Sequence, residues 1–401
     1  MARIYIDTWC MKSDASGMGR YGRGLIPALV EAAPQHEIII LRPTSHRGRA
    51  PLVPSSAASA REVFVPRPSP DWTTPLARPL LEPAFRRFGR PDLYHSLFHL
   101  LPIGLRYGRC APRRIVVSLH DLIWLDRDPR AERRWLEAAW LKRFGSVAIP
   151  RALRAADHVI CGSDATSTRA AQWVPGDRRT TVHYGIEERW FQTPAANAAA
   201  RPPYIAAFGV AKAYKNVRCL IRALPLVRVR RPDVRLVLIG DDGDAGAEIR
   251  SSGLTDHISV TGALADADLR ATIAGARVFV VPSLIEGFGL PALEAMAVGT
   301  PLVVSDIDAL REVTGDAALR FDPADPRQLA DAILRALDDE ALRSDLAARG
   351  RARAALFTWS RTAAGTLAVY EQVLGKGARK RGRESLSHSR SRFETRQNAG
   401  F

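Results

Sequence analysis

The segment from Ala276 to Pro301 constrains the fold more than any other part of this chain. An apolar, β-branched run from Ala276 to Val281 is typical of a buried strand, and Ala292 to Ala297 is rich in helix-forming residues. Between these runs stand two glycines and then Pro291, a residue that suits the first position of a helix. The pattern therefore predicts a strand, a glycine turn and a helix whose N-terminus can receive an anion.

Two carboxylates accompany this predicted anion site. Glu286 falls in the turn, and Glu294 falls in the first turn of the helix. A carboxylate repels an anion unless it accepts hydrogen bonds from hydroxyl groups that the same anionic molecule carries. A nucleotide sugar has this shape, because its diphosphate joins two hydroxyl-rich rings. The alternative is a helix N-terminus with two capping acids, which is a common arrangement.

The whole string from Pro282 to Pro301 resembles the signature of retaining glycosyltransferases of family four, which have the GT-B fold. That signature has two glutamates separated by seven residues, with Gly-Phe-Gly-Leu-Pro after the first, and Glu286 and Glu294 match it. The resemblance implies that Glu286 contacts the transferred sugar and that Glu294 contacts the ribose of the nucleotide. It also implies that sugar hydroxyls and phosphate are bound by the backbone amides of Gly287, Phe288, Gly289 and Leu290.

A basic loop forms the next candidate part of the donor site. It holds Lys212 and Lys215 and precedes a predicted helix from Val217 to Arg230. A lysine before a helix N-terminus adds a full charge to the helix dipole, which suits a diphosphate. The family has Arg-Lys-Asn or an equivalent basic pair here, whereas this chain has Tyr214 in place of the arginine. We expect Lys215 to stabilise the leaving phosphate, and Lys212 is the candidate replacement for the missing cation.

The N-terminal half contributes a glycine motif and a histidine. Gly17 and Gly19 lie between a predicted strand and a helical pattern from Gly24 to Ala32, so they predict a phosphate-binding loop. The family has a similar Gly-x-Gly-Arg-Tyr, which implies that both glycines face the donor phosphates or the acceptor. His120 ends a buried-strand pattern within His-Asp-Leu, and the resemblance implies that it contacts the donor sugar. A purely structural role is the alternative for this histidine.

Helical and strand patterns alternate along the chain, which predicts α/β domains with parallel sheets. The resemblance implies two Rossmann-like domains that face each other across a cleft. We expect an acceptor domain over residues 1–192, a linker over 193–203 and a nucleotide-sugar domain over 204–356. A helix over 357–375 is expected to cross back onto the first domain. The basic, Ser- and Arg-rich tail over 376–401 is predicted to be disordered.

Two local expectations concern the first domain. The helical pattern from Arg133 to Ala156 is expected to split at Pro150, with its aromatic residues in the core. The segment from Val182 to Ile186 resembles the family's last strand and turn of this domain.

The charge of the chain points to anionic partners. Its formal net charge is +16, which suits nucleic acid, anionic lipid or an anionic substrate. Residues 66–90 mix basic and bulky apolar side chains with repeated prolines, and include Trp72, Phe85, Arg86 and Arg87. They predict either a membrane-surface element or an ordinary loop over an amphipathic helix. No apolar run reaches the length of a membrane span, no signal-peptide core is found, and the four cysteines lack metal spacing. We therefore expect a cytoplasmic protein on the inner face of the membrane.

These features together predict a retaining hexosyltransferase that uses a nucleoside-diphosphate sugar and a glycan or lipid-linked acceptor. Mannose is the first choice of sugar, by resemblance to bacterial mannosyltransferases of cell-surface polysaccharides. No metal is expected, because cationic side chains and a helix end do this work in the family. Two alternatives stay open: a nucleotide-sugar epimerase of the same fold, and a basic nucleic-acid-binding protein with strongly salt-dependent binding.

Overall fold

The computed structural model of this chain describes most of the polypeptide, in stretches separated by short gaps. These stretches are residues 1–11, 13, 16–67, 71–126, 128, 135–193, 203–209, 212–241 and 246–375. The predicted linker, apart from its two end residues, and the predicted tail over 376–401 lie outside the described residues.

The first domain is built on a seven-stranded parallel sheet with the order β3-β2-β1-β4-β5-β6-β7. Its strands are β1 (Arg3–Asp7), β2 (Glu37–Pro43), β3 (Ala60–Val65), β4 (Leu93–Ser96), β5 (Arg114–Leu119), β6 (His158–Cys161) and β7 (Arg179–Thr181). Its helices are α1 (Gly17–Ala32), α2 (Arg78–Phe88), α3 (Ile123–Asp126), α4 (Trp135–Ala155) and α5 (Asp164–Ala170). Side chains alternate across the sheet, so that Ile4 and Ile6 pack with α1 while Tyr5 packs with α2.

The second domain is built on a six-stranded parallel sheet with the order β10-β9-β8-β11-β12-β13. Its strands are β8 (Tyr204–Phe208), β9 (Arg235–Ile239), β10 (Ile258–Val260), β11 (Val278–Val281), β12 (Leu302–Ser305) and β13 (Leu319–Phe321). Its helices are α6 (Val217–Arg230), α7 (Gly246–Ser251), α8 (Asp266–Ala274), α9 (Leu290–Val298), α10 (Asp308–Thr314), α11 (Pro326–Asp338) and α12 (Glu340–Ala354). The expected fold class, two α/β domains with parallel sheets, is confirmed.

A last helix, α13, covers residues 359–375 and returns to the first domain, as the resemblance implied. Its first residue, Trp359, packs so closely on Gly24 of α1 that any side chain there would overlap the indole ring. Farther along, the Tyr370 hydroxyl lies 2.6 Å from Nδ1 of the buried His95. The helix therefore fastens the end of the second domain to the first by both apolar and polar contacts.

Two local predictions for the first domain were wrong. The helix α4 runs unbroken through Pro150, because Ile149, Ala152 and Leu153 are buried against the sheet and this packing outweighs the lost hydrogen bond. Its Trp135 and Trp140 are 54% and 43% exposed, so they do not belong to the core.

The remaining differences concern where elements begin and end. The last strand of the first domain, β7, ends at Thr181. Residues 182–186, where the sequence predicted the last strand and turn of this domain, are irregular. The glycine motif is not a loop, because α1 begins at Gly17, where Ser16 caps the helix by accepting a hydrogen bond from the Gly19 N–H.

Candidate active site

A cavity of about 440 Å³ lies between the two domains, at the carboxyl ends of the central strands. In each sheet the strand order reverses at this place, between β1 and β4 and between β8 and β11, which is where open α/β sheets bind ligands. The first domain lines the cavity with Ser16, Gly17, Met18, Arg20, His120, Asp121, Ile123 and Tyr184. The second domain lines it with Phe208, Tyr214, Lys215, Glu286 to Pro291 and Glu294.

The turn before α9 has the geometry of an anion site. Gly289, the residue that precedes the helix, has a φ of 108°, which only glycine adopts without strain. Within the described residues, the backbone N–H groups from Gly287 to Leu290 have no hydrogen-bond partner. These donors, together with the positive end of the α9 dipole, face the cavity and can bind phosphate or sugar oxygens.

Glu286 is held in place by its own neighbours. Its Oε1 accepts a hydrogen bond from Nζ of Lys215 at 2.7 Å and another from the Ser283 hydroxyl at 2.8 Å. The ammonium group of Lys215 also lies 5.5 Å from the centre of the Tyr214 ring. The structure thus brings the glutamate of the turn and the lysine of the basic loop together, 71 residues apart in sequence.

Glu294 lies deeper, and its partner comes from the other domain. Its side chain is 3% exposed and forms an ion pair with Arg20 of α1. The other carboxylate oxygen, Oε2, is buried and has no hydrogen-bond partner among the described residues. A buried carboxylate oxygen without a donor is unfavourable by about 1–3 kcal/mol or more, so this oxygen is suited to a ligand hydroxyl.

His120 is neutral and fixed by two hydrogen bonds. Its Nε2 donates to the Leu97 carbonyl oxygen at 2.8 Å, which leaves Nδ1 to accept from the Tyr184 hydroxyl at 2.5 Å. Burial lowers the pKa of this imidazole to about 4. Both ring nitrogens are therefore occupied by the protein, and the ring lines the cavity as an uncharged surface.

The domains touch directly at the donor turn. The carbonyl oxygen of Gly287 accepts hydrogen bonds from the hydroxyls of Ser163, at 2.6 Å, and Thr166, at 3.1 Å. Nearby, the Glu312 carboxylate of α10 accepts the backbone N–H of Asp164 at 2.7 Å and Nε2 of His183 at 2.6 Å. These contacts join the start of α5 to the second domain and keep the cleft closed around the cavity.

Most of the residues that the sequence singled out meet in this one cavity. Gly19 is buried in the first turn of α1 and does not line the cavity, and Lys212 is exposed and lies outside it. The sequence reasoning missed Arg20, Asp121 and Tyr184. Arg20 lies within the Gly-x-Gly-Arg-Tyr motif, and Asp121 lies within His-Asp-Leu. Roles were assigned from the sequence only to the glycines and the histidine of these motifs, although the motifs also pointed to their charged residues.

The arrangement combines two cations, a helix N-terminus and three carboxylates in one cleft between the domains. Burial, followed by the nearby charge of Glu286, raises the pKa of Asp121, while the Ile123 N–H and Lys215 oppose this rise. Such a site can hold an anionic molecule that carries hydroxyl groups at both ends. It can also stabilise negative charge that develops when a phosphate leaves, which is electrostatic catalysis.

Comparison with known proteins supports this interpretation over both domains. The family model described as Glycosyl transferases group 1 matches residues 202–339, and the model described as Glycosyltransferase Family 4 matches residues 15–190. The MMP alpha-(1->4)-mannosyltransferase of Mycolicibacterium hassiacum is 33% identical over 276 residues, which are 66% of this chain and 66% of that protein. The O-antigen chain mannosyltransferase B of Escherichia coli is 28% identical and covers 92% of this chain and 99% of its own length.

Solved structures share the same architecture. A sucrose-phosphate synthase from Thermosynechococcus elongatus superposes with a TM-score of 0.71 at 23% identity, over 94% of this chain and 100% of its own. The glycosyltransferase WaaG of lipopolysaccharide biosynthesis gives 0.65 at 15% identity, over 92% and 99%. HepE of Anabaena, solved in complex with UDP, gives 0.62 at 18% identity, over 93% and 100%. These likenesses establish the GT-B fold.

Proposed function

Because this chain belongs to the glycosyltransferases of group 1 and family four, we propose that it transfers a hexose from a nucleoside-diphosphate sugar with retention of anomeric configuration. The observation that carries the proposal is the cavity itself, where Glu286, Lys215, Glu294 and the N-terminus of α9 converge. Neither the epimerase nor the nucleic-acid alternative gains support from the comparisons.

Mannose is the sugar we propose, with a glycan or a lipid-linked molecule as the acceptor. The relatives named as mannosyltransferases support this choice, and they include a phosphatidyl-myo-inositol mannosyltransferase of Mycobacterium tuberculosis that is 36% identical over 173 residues. That last match covers 41% of this chain and 46% of the relative, so it bears on part of the chain only.

The reaction we propose begins with departure of the nucleoside diphosphate. Lys215 and the free N–H groups before α9 stabilise the charge on the leaving phosphate, without a metal ion. Glu286 orients the sugar, and Glu294 binds the ribose through its unpartnered oxygen. His120 packs against the sugar as a neutral ring. An acceptor hydroxyl then attacks the face from which the diphosphate leaves and gives its proton to the departing phosphate oxygen, which accounts for retention.

A binding screen followed by two matched variants tests this proposal. Wild-type protein is incubated with GDP-mannose, UDP-glucose and ADP-glucose, and a donor that binds the native state raises the melting temperature. With the donor so identified, Glu286→Gln should abolish transfer while donor binding persists. Glu294→Gln should chiefly weaken donor binding, because it touches the remote ribose. Near-wild-type turnover of the Glu286 variant, or no response to any donor, contradicts the proposed function.

We further propose that the acceptor is reached at an anionic membrane surface. The described chain has no helix that is both long and apolar enough to cross a bilayer. The first domain instead exposes a surface that we call the aromatic face. Its members are bulky apolar residues of the segment 71–76, the loop 103–107 and α4, with exposed fractions between 38% and 78%: Trp72, Leu76, Ile103, Tyr107, Trp135, Leu136, Trp140 and Val147.

Two contacts join parts of the aromatic face. The rings of Trp72 and Trp140 meet edge to face at 4.6 Å, and the Ile103 N–H donates to the Pro75 carbonyl beside Leu76. Arg109 and Arg143 are exposed close to it in sequence. Exposed aromatic side chains next to arginine fit the interface of an anionic bilayer, where each basic residue contributes about 1 kcal/mol.

The structure corrects the membrane residues that the sequence suggested. Phe85 is 1% exposed and packs 5.1 Å from the Tyr5 ring, so the expectation that it inserts into lipid is wrong. The described part of the segment 66–90 holds a short 3-10 helix over Asp71–Leu76 and the helix α2 over Arg78–Phe88. Trp72, Arg86 and Arg87 remain exposed.

Co-sedimentation with vesicles tests the membrane proposal. Wild-type protein should pellet with phosphatidylglycerol vesicles at low salt and much less with phosphatidylcholine vesicles or at high salt. Trp135→Ser combined with Trp140→Ser should weaken pelleting. The matched control is Val229→Ser, which removes an apolar side chain that is 83% exposed on α6 of the other domain. Equal loss in both variants, or no pelleting of the wild type, contradicts the proposal.

A further inference from the structure

The cavity contains a second cation that no motif assigned. Lys215 and Arg20 are its two basic lining residues in the described part of the chain. The position where the family has an arginine is occupied by Tyr214, and Lys212, the replacement expected from the sequence, is exposed outside the cavity. The second domain thus lacks one positive charge in the cavity, and the first domain supplies one there, on Arg20.

Arg20 reaches the donor half of the cavity because two helices meet end to end. A Cβ atom on Gly17, the first residue of α1, would lie 4.0 Å from Cδ1 of Leu290, the first residue of α9. Arg20 stands one turn into α1, and its side chain bridges this junction to Glu294. Its guanidinium therefore lies at Glu294, one turn into α9, and Arg20 lines the same cavity as Gly287 to Leu290.

Local contacts hold the guanidinium in this position. Its central carbon lies 5.5 Å from the Trp190 ring, a geometry that stabilises a cation over an aromatic face. The Arg20 side chain is only 14% exposed, and Nη1 makes the ion pair with Oε1 of Glu294. An arginine has five N–H donors in a rigid fork, so one pair with a carboxylate leaves others for a second anion.

We propose that Arg20 supplies the second cationic contact to the donor diphosphate, from the first domain, in place of the residue missing at Tyr214. This inference rests on the proposed function and deepens it. The Glu294 carboxylate keeps the guanidinium aimed at the cavity, and its unpartnered Oε2 receives a ribose hydroxyl when the donor binds. The donor then connects the two domains through its phosphates.

Isothermal titration with a ligand series tests the proposal. GDP, UDP and ADP are titrated first, and the base that binds best defines a nucleoside and nucleoside-diphosphate pair. Arg20→Gln removes the charge but keeps a hydrogen-bond donor for Glu294. We expect it to weaken diphosphate binding about 10- to 100-fold, the range for one hydrogen bond to a charged group. The affinity for the nucleoside should change less than about threefold, well below the effect of one such bond.

Three further variants keep the result interpretable. Arg20→Lys retains the charge and should recover most of the preference for the diphosphate. Arg23→Gln removes the same charge from α1 but from a residue that does not line the cavity, and should leave both affinities unchanged. Lys212→Gln examines the rival cation.

The outcomes separate this inference from the proposed function. An equal loss for nucleoside and diphosphate in Arg20→Gln shows that Arg20 acts only through Glu294 and overturns the inference, as does an undiminished diphosphate affinity. A large loss in Lys212→Gln with none in Arg20→Gln also overturns it. If the wild type binds no nucleoside diphosphate at all, the proposed function itself fails.

Discussion

Two strand–glycine–helix units face each other across the cleft, and they differ in how the N-terminus of the helix is capped. In β11–α9 the turn closes on Gly289, which gives the helix no side-chain cap, so its N–H groups stay available. In β1–α1 the hydroxyl of Ser16 caps the helix by accepting from the Gly19 N–H. Similar glycine patterns in the sequence therefore produce one open helix end and one capped helix end.

The difference indicates a division of labour between the domains. The open end of α9, with Lys215 and Glu286 beside it, presents donors and charges that suit a diphosphate and a sugar. The capped end of α1 instead positions side chains, and Arg20 is the one that reaches across. The Ser16 hydroxyl already accepts the Gly19 N–H, so this donor of the glycine motif is not available to an anion.

The largest effect on catalysis is expected when the positive charge beside α9 is removed. Lys215→Ala should cost about 2–4 kcal/mol of transition-state stabilisation, the scale seen for one lost oxyanion donor, which lowers kcat about 30- to 900-fold. Lys212→Ala should reduce kcat less than twofold, because Lys212 is exposed outside the cavity. Steady-state kinetics with the identified donor measure both. A severe Lys212 effect beside a mild Lys215 effect shows that the charge lies elsewhere.

A second prediction compares the effect on stability of replacing one glycine from each strand–glycine–helix unit. A Cβ atom on Gly287 would overlap the His120 carbonyl oxygen and lie 2.7 Å from Cβ of Asp121, so the interface must shift. Gly287→Ala should therefore lower the unfolding free energy by about 1–3 kcal/mol, as overpacking does. Gly17→Ala introduces only an ordinary contact at 4.0 Å within a helix, where alanine is favoured over glycine.

Denaturant melts of both glycine variants give the comparison directly. The Gly17 variant should match or slightly exceed the stability of the wild type. If it is destabilised as much as the Gly287 variant, the two helix ends are packed alike and the contrast between them is wrong.

The elements beside the cavity were predicted closely from the sequence in the second domain and less closely in the first. The helix over Val217–Arg230 has the predicted bounds, and the strand predicted over Ala276 to Val281 is β11 (Val278–Val281), which begins two residues later and ends at the predicted residue. The sequence signals of the second domain are local. Runs of apolar residues specify its strands, and one contiguous motif specifies the turn before α9.

The errors in the first domain have a common cause, which is that tertiary contacts decide its local structure. Glycines at positions 17 and 19 have low helix propensity, yet the Ser16 cap starts the helix there. Apolar spacing along α4 does not show which face meets the sheet, so Trp140 was placed in the core although it is 43% exposed. Arg20 meets Glu294 from 274 positions away in sequence, a pairing that no single-sequence pattern contains.

The third prediction concerns histidines, which also distinguish the domains. Seven of the nine lie within residues 1–192. Burial lowers the pKa of His95 and of His99 to about 3, and that of His120 to about 4. An unfolded histidine takes up its proton near pH 6.5, so these three groups stabilise the fold fully above that pH and lose this contribution as the pH falls towards their folded pKa values. Asp7 acts in the opposite sense, because burial raises its pKa to about 6.

His99 allows the effect of one such group to be isolated. Its ring packs between Phe98 and Trp124, and neither nitrogen has a hydrogen-bond partner among the described residues. His99→Phe keeps an aromatic ring and removes the titrating group. Relative to the wild type, the variant should gain about 1.4 kcal/mol of unfolding free energy per pH unit as the pH falls from about 6 to 4. Urea denaturation at pH 7.5, 6 and 5 measures this gain, and parallel pH curves for the two proteins would show that His99 is not buried as a neutral group.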